Sequence, residues 1–278
     1  MALARPGETC WTRARADRVK FLVDGRDYYA ALRAALEAAH SSVHLLGWGF
    51  DPRVDLPPAA GDDLPQAIGH LLTRLAHDHP SLDIRLLVWR SALPIAATQA
   101  FFPHRARSWF RGTGVDFRLD SDVPFGACHH QKIIVIDGAL AFVGGADLMP
   151  GRWDTPAHPD RDRRRGRDSP PRHEAMAMVD GPAAAAFEAL FLARWRRSQD
   201  ETLDVPPGDQ DPWPEDLTPD LANAEVAIAR TLPAWRGEDS VREIAALSLE
   251  AMAAAKQLIY LEGQYFTWPL ATEALAAR

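Results

Sequence analysis

The segment from His130 to Val143 constrains the fold more than any other part of the chain. It opens with a histidine and a lysine separated by one residue, followed by the β-branched apolar run Ile133 to Ile136. Such a run has strong strand character. Asp137-Gly138 comes next and is typical of a tight turn, after which residues 140–143 form a second apolar run. The segment therefore predicts a buried β-hairpin that begins beside His130 and Lys132.

His130 and Lys132 also indicate chemistry. Side chains alternate along a strand, so we expect these two to project from the same face. An imidazole beside a fixed ammonium suits attack on a phosphorus that carries negative oxygens. A lone histidine is more often a core residue, and an Asp before Gly is usually only a turn. Lys132 is harder to explain structurally, because an unpaired charge at the end of an apolar strand is costly.

The pattern His-x-Lys-x4-Asp-x6-Gly-Gly resembles the signature of the phospholipase D superfamily. Other segments are similar to its eukaryotic-type phosphatidylcholine phospholipases, and the similarity covers nearly the whole chain from about Arg18. These segments are His129 to Asp137, Gly144 to Leu148, Gly151 to Pro156, Gly181-Pro182, Phe191 with Arg194-Trp195, and Ile259 to Phe266. The resemblance implies an α/β fold with a mixed sheet flanked by helices.

The rest of the sequence alternates apolar runs of strand and helix character, which predicts an α/β layer architecture. Predicted strands cover residues 18–23, 43–48, 84–89, 115–119, 133–136, 140–143, 176–179, 225–230 and 258–261. Predicted helices cover residues 28–39, 65–76, 101–110, 183–197 and 241–255. We expect a first lobe at residues 1–198, a Pro- and Asp-rich linker at 199–222, and the start of a second lobe at 223–278.

The second lobe is predicted from an internal repeat. Residues 31–50 align without a gap onto residues 247–266, and the order of elements agrees as well. The counterpart of His130 would then fall at about residue 346, beyond Arg278. We therefore expect one full lobe plus the start of a second pseudo-repeat lobe that lacks its half of the site.

In the family, two lobes each supply one His-Lys pair to a pseudosymmetric site. The resemblance makes His130 the nucleophile that forms a phosphohistidine, with Lys132 holding phosphoryl oxygens. It implies no metal and no other cofactor. The family's segment before the next strand corresponds to Pro171-Arg172-His173-Glu174, which makes Glu174 the candidate carboxylate that orients His130.

The remaining motif residues are expected to be structural. We predict this for Asp137, because it lies beyond Lys132 on the far side of the turn, and for the glycine pair Gly144 and Gly145. His129 and His173 are expected to pack or to line a pocket.

Three functions follow from the resemblance. Gly144-Gly145-Ala146-Asp147 is similar to the phosphatidylcholine type, which places hydrolysis or exchange of a phospholipid headgroup first. Transfer of the phosphatidyl group, as in a cardiolipin synthase, comes second, and a nuclease comes last. Alternatively, the chain is a non-catalytic or partner-dependent half that needs the second lobe or a homodimer partner.

Composition sets limits on partners. The 278 residues carry a formal net charge of −7, which argues against broad nucleic-acid binding. Two cysteines are too few for a disulfide framework or a zinc site. No signal peptide and no apolar stretch long enough to span a membrane is apparent. We therefore expect a cytoplasmic protein that acts peripherally on a phospholipid substrate at a membrane surface.

Overall fold

The computed structural model describes residues 3–58, 64–91, 103–166, 169–204, 208, 210–263 and 265–278. Contacts divide the chain into two compact units. The larger unit is Arg15–Ala224, and the smaller unit combines Met1–Ala14 with Glu225–Arg278.

Strands and helices alternate through the larger unit, as the sequence predicts. The strands of the chain are β1 Thr12–Val23, β2 Ser42–Gly47, β3 Asp55–Leu56, β4 Gln66–Ala67, β5 Asp83–Trp89, β6 Asp116–Asp120, β7 Ile133–Ile136, β8 Leu140–Gly144, β9 Ala175–Asp180, β10 Leu221–Ile228, β11 Thr231–Leu232 and β12 Val241–Arg242. The helices are α1 Asp24–Glu37, α2 Ile68–Asp78, α3 Pro103–Trp109, α4 Gly181–Gln199, α5 Glu243–Ala254 and α6 Pro269–Ala276.

An eight-stranded mixed sheet forms the frame, in the order β10-β1-β9-β8-β7-β2-β5-β6. β2, β5 and β6 are parallel to one another, because helical crossovers connect them in sequence. β7, β8, β9 and β1 continue the sheet in antiparallel pairs. The predicted fold class, α/β with a mixed sheet flanked by helices, is confirmed.

Helices cover both faces of the sheet, which explains why every residue of β2 is buried. On one face, Val43 and Leu45 join the apolar core formed with α1 and α2. On the other face, the His44 ring stacks on Phe191 of α4, with ring centroids 4.3 Å apart. Alternate β2 side chains thus enter opposite layers of the fold.

The predicted hairpin of β7 and β8 is present, and its turn is fixed by Asp137. Asp137 and Gly138 both adopt positive φ, 55° and 63°, as tight hairpin turns require. The buried Asp137 carboxylate accepts hydrogen bonds from the backbone N–H groups of Ser41 and Ser42, at 2.7 and 2.8 Å, and also from that of His40. It therefore joins the hairpin turn to the start of β2, which is a structural role.

Two sequence predictions are wrong in the structure. Residues 258–261 do not form a strand; Leu258 and Tyr260 are exposed, and among the described residues no neighbouring strand pairs with this stretch. Residues of the predicted linker 199–222 instead pack on the larger unit. Trp213 is buried in its core, and Asp220 pairs with Lys20 at 2.8 Å. A Pro-rich segment without periodicity can still be anchored by single aromatic and charged side chains.

The smaller unit holds the β11–β12 pair, α5 and α6. Arg230 pairs with the buried Glu243 at 2.8 Å, and its guanidinium lies over the Trp11 ring.

Of the predicted second-lobe elements, the helix at residues 241–255 is confirmed as α5, and the predicted strand at 225–230 overlaps β10. The predicted helix at 101–110 is seen as α3; its first two residues lie outside the described residues. Within those residues, no helix is both long and apolar enough to cross a membrane.

Replacing Asp137 with Ala should lower the free energy of unfolding by about 3 kcal/mol, because buried backbone N–H groups lose a charged acceptor. Asp137→Asn should cost less, since Asn keeps an acceptor oxygen and tolerates positive φ. Urea denaturation measures both values. The exposed Asp160→Ala serves as the control, and an equal effect of Asp137→Ala and Asp160→Ala would contradict the structural role.

Candidate active site

Strand direction brings the predicted site residues to one end of the sheet. β2, β5 and β6 are parallel, so Gly47, Trp89 and Asp120 end them on the same side. β7 is antiparallel to β2 and starts on that side, because Leu46 lies opposite Ile133. By the same alternation β8 ends there and β9 begins there. We call this the carboxyl end of the sheet, where open α/β sheets usually bind ligands.

His130 lies at the carboxyl end but not on a strand. β7 begins at Ile133, so the expectation that His130 and Lys132 share one face of a strand is wrong. The His130 side chain is exposed, and its ring meets the Trp48 ring edge-on, with centroids 6.1 Å apart. Among the described residues, no hydrogen bond holds either ring nitrogen. Partial burial and the nearby Lys132 ammonium lower the pKa of His130, which favours the neutral imidazole at pH 7.

Lys132 is buried and paired. Its Nζ lies 3.0 Å from Asp147 Oδ2 and donates to the backbone oxygen of His130 at 2.9 Å. The other oxygen of Asp147 accepts from the backbone N–H groups of Trp48 and Gly49. Burial lowers the pKa of Lys132, and Asp147 opposes this effect. An ammonium has three N–H donors. The described contacts of Lys132 use two of them, so the third can donate to a ligand oxygen.

Glu174 lies just before β9, and its described contacts do not include a hydrogen bond to His130. Its Oε1 accepts from Arg152 at 3.0 Å and from Arg172 at 2.9 Å. The orienting role of Glu174 stays a prediction, because its described hydrogen-bond partners are Arg152 and Arg172. Burial raises the pKa of Glu174, Asp147 adds to this, and Arg172 and Lys132 oppose it. Glu174 therefore belongs to the same electrostatic environment as the site.

The glycine pair has two different environments. A Cβ on Gly144 would lie 2.5 Å from the Met176 sulfur and 2.7 Å from the Ala175 oxygen. Gly144 is therefore needed for the close approach of β8 and β9. A Cβ on Gly145 would meet nothing within 4 Å, so packing gives no reason for a glycine there.

A buried network that sequence reasoning missed surrounds His130. Asp120 Oδ2, at the end of β6, lies 3.0 Å from His129 Nε2 and accepts from Arg194 Nε at 2.8 Å. Arg194 also donates to the Gln131 side-chain oxygen at 2.9 Å. His129 thus pairs with a carboxylate rather than packing as a plain core residue. The sequence presents Arg194-Trp195 in α4 only as part of the family resemblance, because no local pattern connects this pair to Asp120.

Trp48 was also missed. It follows β2 at the carboxyl end, and its ring lies 5.9 Å from Lys132 Nζ and stacks on Trp89. The available signal was its position directly after a buried strand, where parallel sheets place ligand-binding residues.

Three side chains in the described part of the chain could hold one metal ion. They are Asp24, His158 and His173, whose donor atoms lie within 4.8 Å of one another. His173 Nδ1 lies 3.0 Å from Asp24 Oδ1, and His158 Nδ1 lies 3.2 Å from Asp154. This group connects the start of α1 with the segment before β9, next to Glu174.

A pocket of about 460 Å³ lies next to the carboxyl end of the sheet. Trp89, Val123 and Phe125 line part of it, and Phe125 is fully exposed. Its lining is partly apolar and partly basic, with Arg90 at one side.

Comparisons with known proteins agree with the motif. A family model described as Phospholipase D matches residues 35–168, which include His130, Lys132 and Asp147. Phospholipase D A of Dictyostelium discoideum is 27% identical over 282 residues, covering 89% of this chain and 21% of that protein. Phospholipase D1 of Saccharomyces cerevisiae is 25% identical over 311 residues, covering 89% of this chain and 18% of that protein.

Among solved structures, a phospholipase D family member, Nuc from Salmonella typhimurium, aligns with a TM-score of 0.41 and 15% identity, covering 66% of this chain and 98% of Nuc. Together, the family model and the curated relatives support membership of the phospholipase D superfamily. It spans about a fifth of the length of the two curated relatives named above.

The charges around His130 predict the titration of its ring. The pKa of His130 should lie below the ordinary 6.5, so the ring is neutral above that pH. Asp147→Asn should lower this pKa further, because Asp147 opposes its depression, and Lys132→Met should raise it. NMR of ring-labelled histidines measures both, with the exposed His79 signal as reference. A His130 pKa unaffected by both substitutions would contradict the geometry.

Proposed function

We propose that this chain carries one half of a phospholipase D-type phosphodiesterase site, with His130 as the nucleophile. The single observation that carries the proposal is the pairing at the carboxyl end of the sheet. An exposed imidazole without a hydrogen-bond partner in the described residues lies beside a buried lysine that is held by a carboxylate. The reaction class is attack on a phosphoric diester through a phosphohistidine.

The environment of His130 supports nucleophilic attack. A depressed pKa keeps the ring neutral at pH 7, so a nitrogen lone pair is available without a proton leaving first. In the first step that nitrogen bonds to phosphorus and the headgroup oxygen leaves, taking a proton from a general acid. In the second step water attacks phosphorus and gives a proton to the group that acted as general acid, and the bond to His130 breaks.

Lys132 supports the same reaction by binding the phosphate. Its third N–H can donate to a phosphoryl oxygen as negative charge develops, while Asp147 keeps the ammonium in place. Burial strengthens this interaction, because the local dielectric is lower than in water. This electrostatic contribution needs no cofactor.

The general acid is expected from a second His-Lys pair, which the residues 1–278 do not contain. The proposed source is a second lobe or the His130 of a second copy across a two-fold axis. A chain that receives no such pair would be a non-catalytic, partner-dependent half.

A phospholipid at a membrane surface is the proposed substrate. The names of the relatives and the Gly-Gly-Ala-Asp sequence at residues 144–147 support this class over nucleic acid, as does the acidic net charge. Transfer of the phosphatidyl group to an alcohol, as a cardiolipin synthase performs, shares the first step. It differs only in the acceptor that resolves the phosphohistidine.

Choline release from phosphatidylcholine vesicles tests the nucleophile. His130→Asn should reduce turnover roughly 10³-fold or more, because no covalent intermediate can form. His79→Asn, at an exposed histidine directly after α2, should leave turnover unchanged. Unchanged turnover by His130→Asn would remove His130 from the mechanism, and added ethanol as acceptor measures transfer against hydrolysis.

Molar mass and turnover measured together test the half-site. Turnover should appear only in a dimer, or after a separately produced polypeptide with a second His-x-Lys-x4-Asp motif is added, because one pair lacks the general acid. Light scattering across a concentration series gives the mass. Robust turnover by a monomer would contradict the need for a second pair.

A further inference from the structure

The segment that carries His130 has no regular secondary structure. β6 ends at Asp120 and β7 begins at Ile133, and the residues between them form turns and irregular loop. A nucleophile must be held close to its productive position, since a displacement of about 1 Å can cost about 100-fold in rate. The backbone at His130 therefore needs an anchor other than strand hydrogen bonds.

The His130 ring gains little orientation from its own contacts. In the described residues its ring nitrogens have no hydrogen bond, and its ring contact is with Trp48. Glu174, the carboxylate expected to orient it, is held between Arg152 and Arg172. The anchor must therefore act on the chain on either side of His130.

Such an anchor exists, and it reaches both neighbours of His130. Asp120 Oδ2 lies 3.0 Å from His129 Nε2, and the same oxygen accepts from Arg194 Nε at 2.8 Å. Arg194 then donates from Nη1 to the Gln131 side-chain oxygen at 2.9 Å. One carboxylate and one guanidinium thus fix the residue before the nucleophile and the residue after it.

The anchor is buried and attached to rigid elements. Asp120, His129 and Arg194 are 0%, 5% and 6% exposed. Asp120 ends a sheet strand, and Arg194 lies in the last two turns of the 19-residue helix α4. Burial opposes ionisation of Asp120, but His129 and Arg194 hold its pKa far below the ordinary value. The carboxylate therefore stays charged across the neutral range.

We propose that the Asp120–Arg194 ion pair is a positioning device that aims the His130 imidazole by fixing His129 and Gln131. The proposal rests on the role of His130 as nucleophile given above. Arginine suits this task because its rigid fork presents Nε and Nη1 to two different acceptors, which a lysine cannot do at once.

The alternative is a pair that only stabilises the fold, and the chain offers a matched control. Arg197, one turn beyond Arg194 on α4, pairs with the buried Asp122 at 2.9 Å. This second pair also joins the His130 segment to α4. Burial lowers the pKa of His129 and the charge of Arg197 adds to this effect, whereas Arg194 donates a hydrogen bond directly to Gln131. A purely structural role predicts equal effects of breaking either pair.

Steady-state kinetics separate the two roles when they are measured on the active form of the chain, either its dimer or its complex with the added second His-Lys polypeptide. Arg194→Met should lower kcat about 100-fold with KM changed less than about threefold, because substrate contacts remain while the nucleophile is misplaced. Arg194→Lys should lose about tenfold, since it keeps the pair with Asp120 but not the bond to Gln131. Arg197→Met should change kcat less than about threefold. Equal losses for Arg194→Met and Arg197→Met would overturn the proposal.

Two further measurements cover failure to fold and absence of turnover. Gln131→Ala leaves the buried ion pair intact, so it should fold and still lower kcat, and an unchanged kcat would overturn the proposal. The NMR signal of the ring-labelled His130 reports its environment without turnover. It should broaden or move in Gln131→Ala and Arg194→Met, but not in Arg197→Met. The wild-type chain could show no turnover while the His130 signal still responds in this way; the proposed function would then fail, but the positioning role of Asp120 and Arg194 would stand. A His130 signal that does not respond to Gln131→Ala or Arg194→Met would overturn the positioning role.

Discussion

The direction of the central strands is the constraint on which the rest of this structure depends. Parallel β2, β5 and β6 end on the side where antiparallel β7 and β9 begin. Residues far apart in sequence, from Trp48 to Glu174, therefore meet at one end of the sheet. Because backbone hydrogen bonds fix the strands, side chains at their ends start from a rigid frame. The loops then need only to set the local positions of these side chains.

At that end of the sheet, the charges of Lys132 and Glu174 are each paired with opposite ones. Lys132 has Asp147, and Glu174 has two arginines. Burying a charge without a partner would cost several kcal/mol, so each pair is a condition for folding as well as a source of local field. His130 differs, because its ring nitrogens have no such partner in the described residues. The arrangement leaves one reactive group beside fixed charges, which suits attack on an anionic phosphodiester.

The sequence predicted the parts of the fold that depend on local pattern. The hairpin of β7 and β8, its Asp137-Gly138 turn, and most helices and strands of the larger unit follow from apolar runs and turn residues. It failed where a strand needs a partner: residues 258–261 have strand character but stay exposed. It also failed at Trp213, which anchors a segment that resembles a linker. Both errors concern contacts that a local pattern does not encode.

By itself the sequence determined that His130 and Lys132 lie beside a buried hairpin, because periodicity and turn chemistry are local properties. It also indicated the superfamily, because the motif spacing is specific. Only the tertiary structure decided which charges became partners: Glu174 with arginines, Lys132 with Asp147, and Asp120 with both His129 and Arg194. The physical reason is that ion pairs depend on distances of a few ångströms between elements, and those distances exist only after the sheet and its helices have packed.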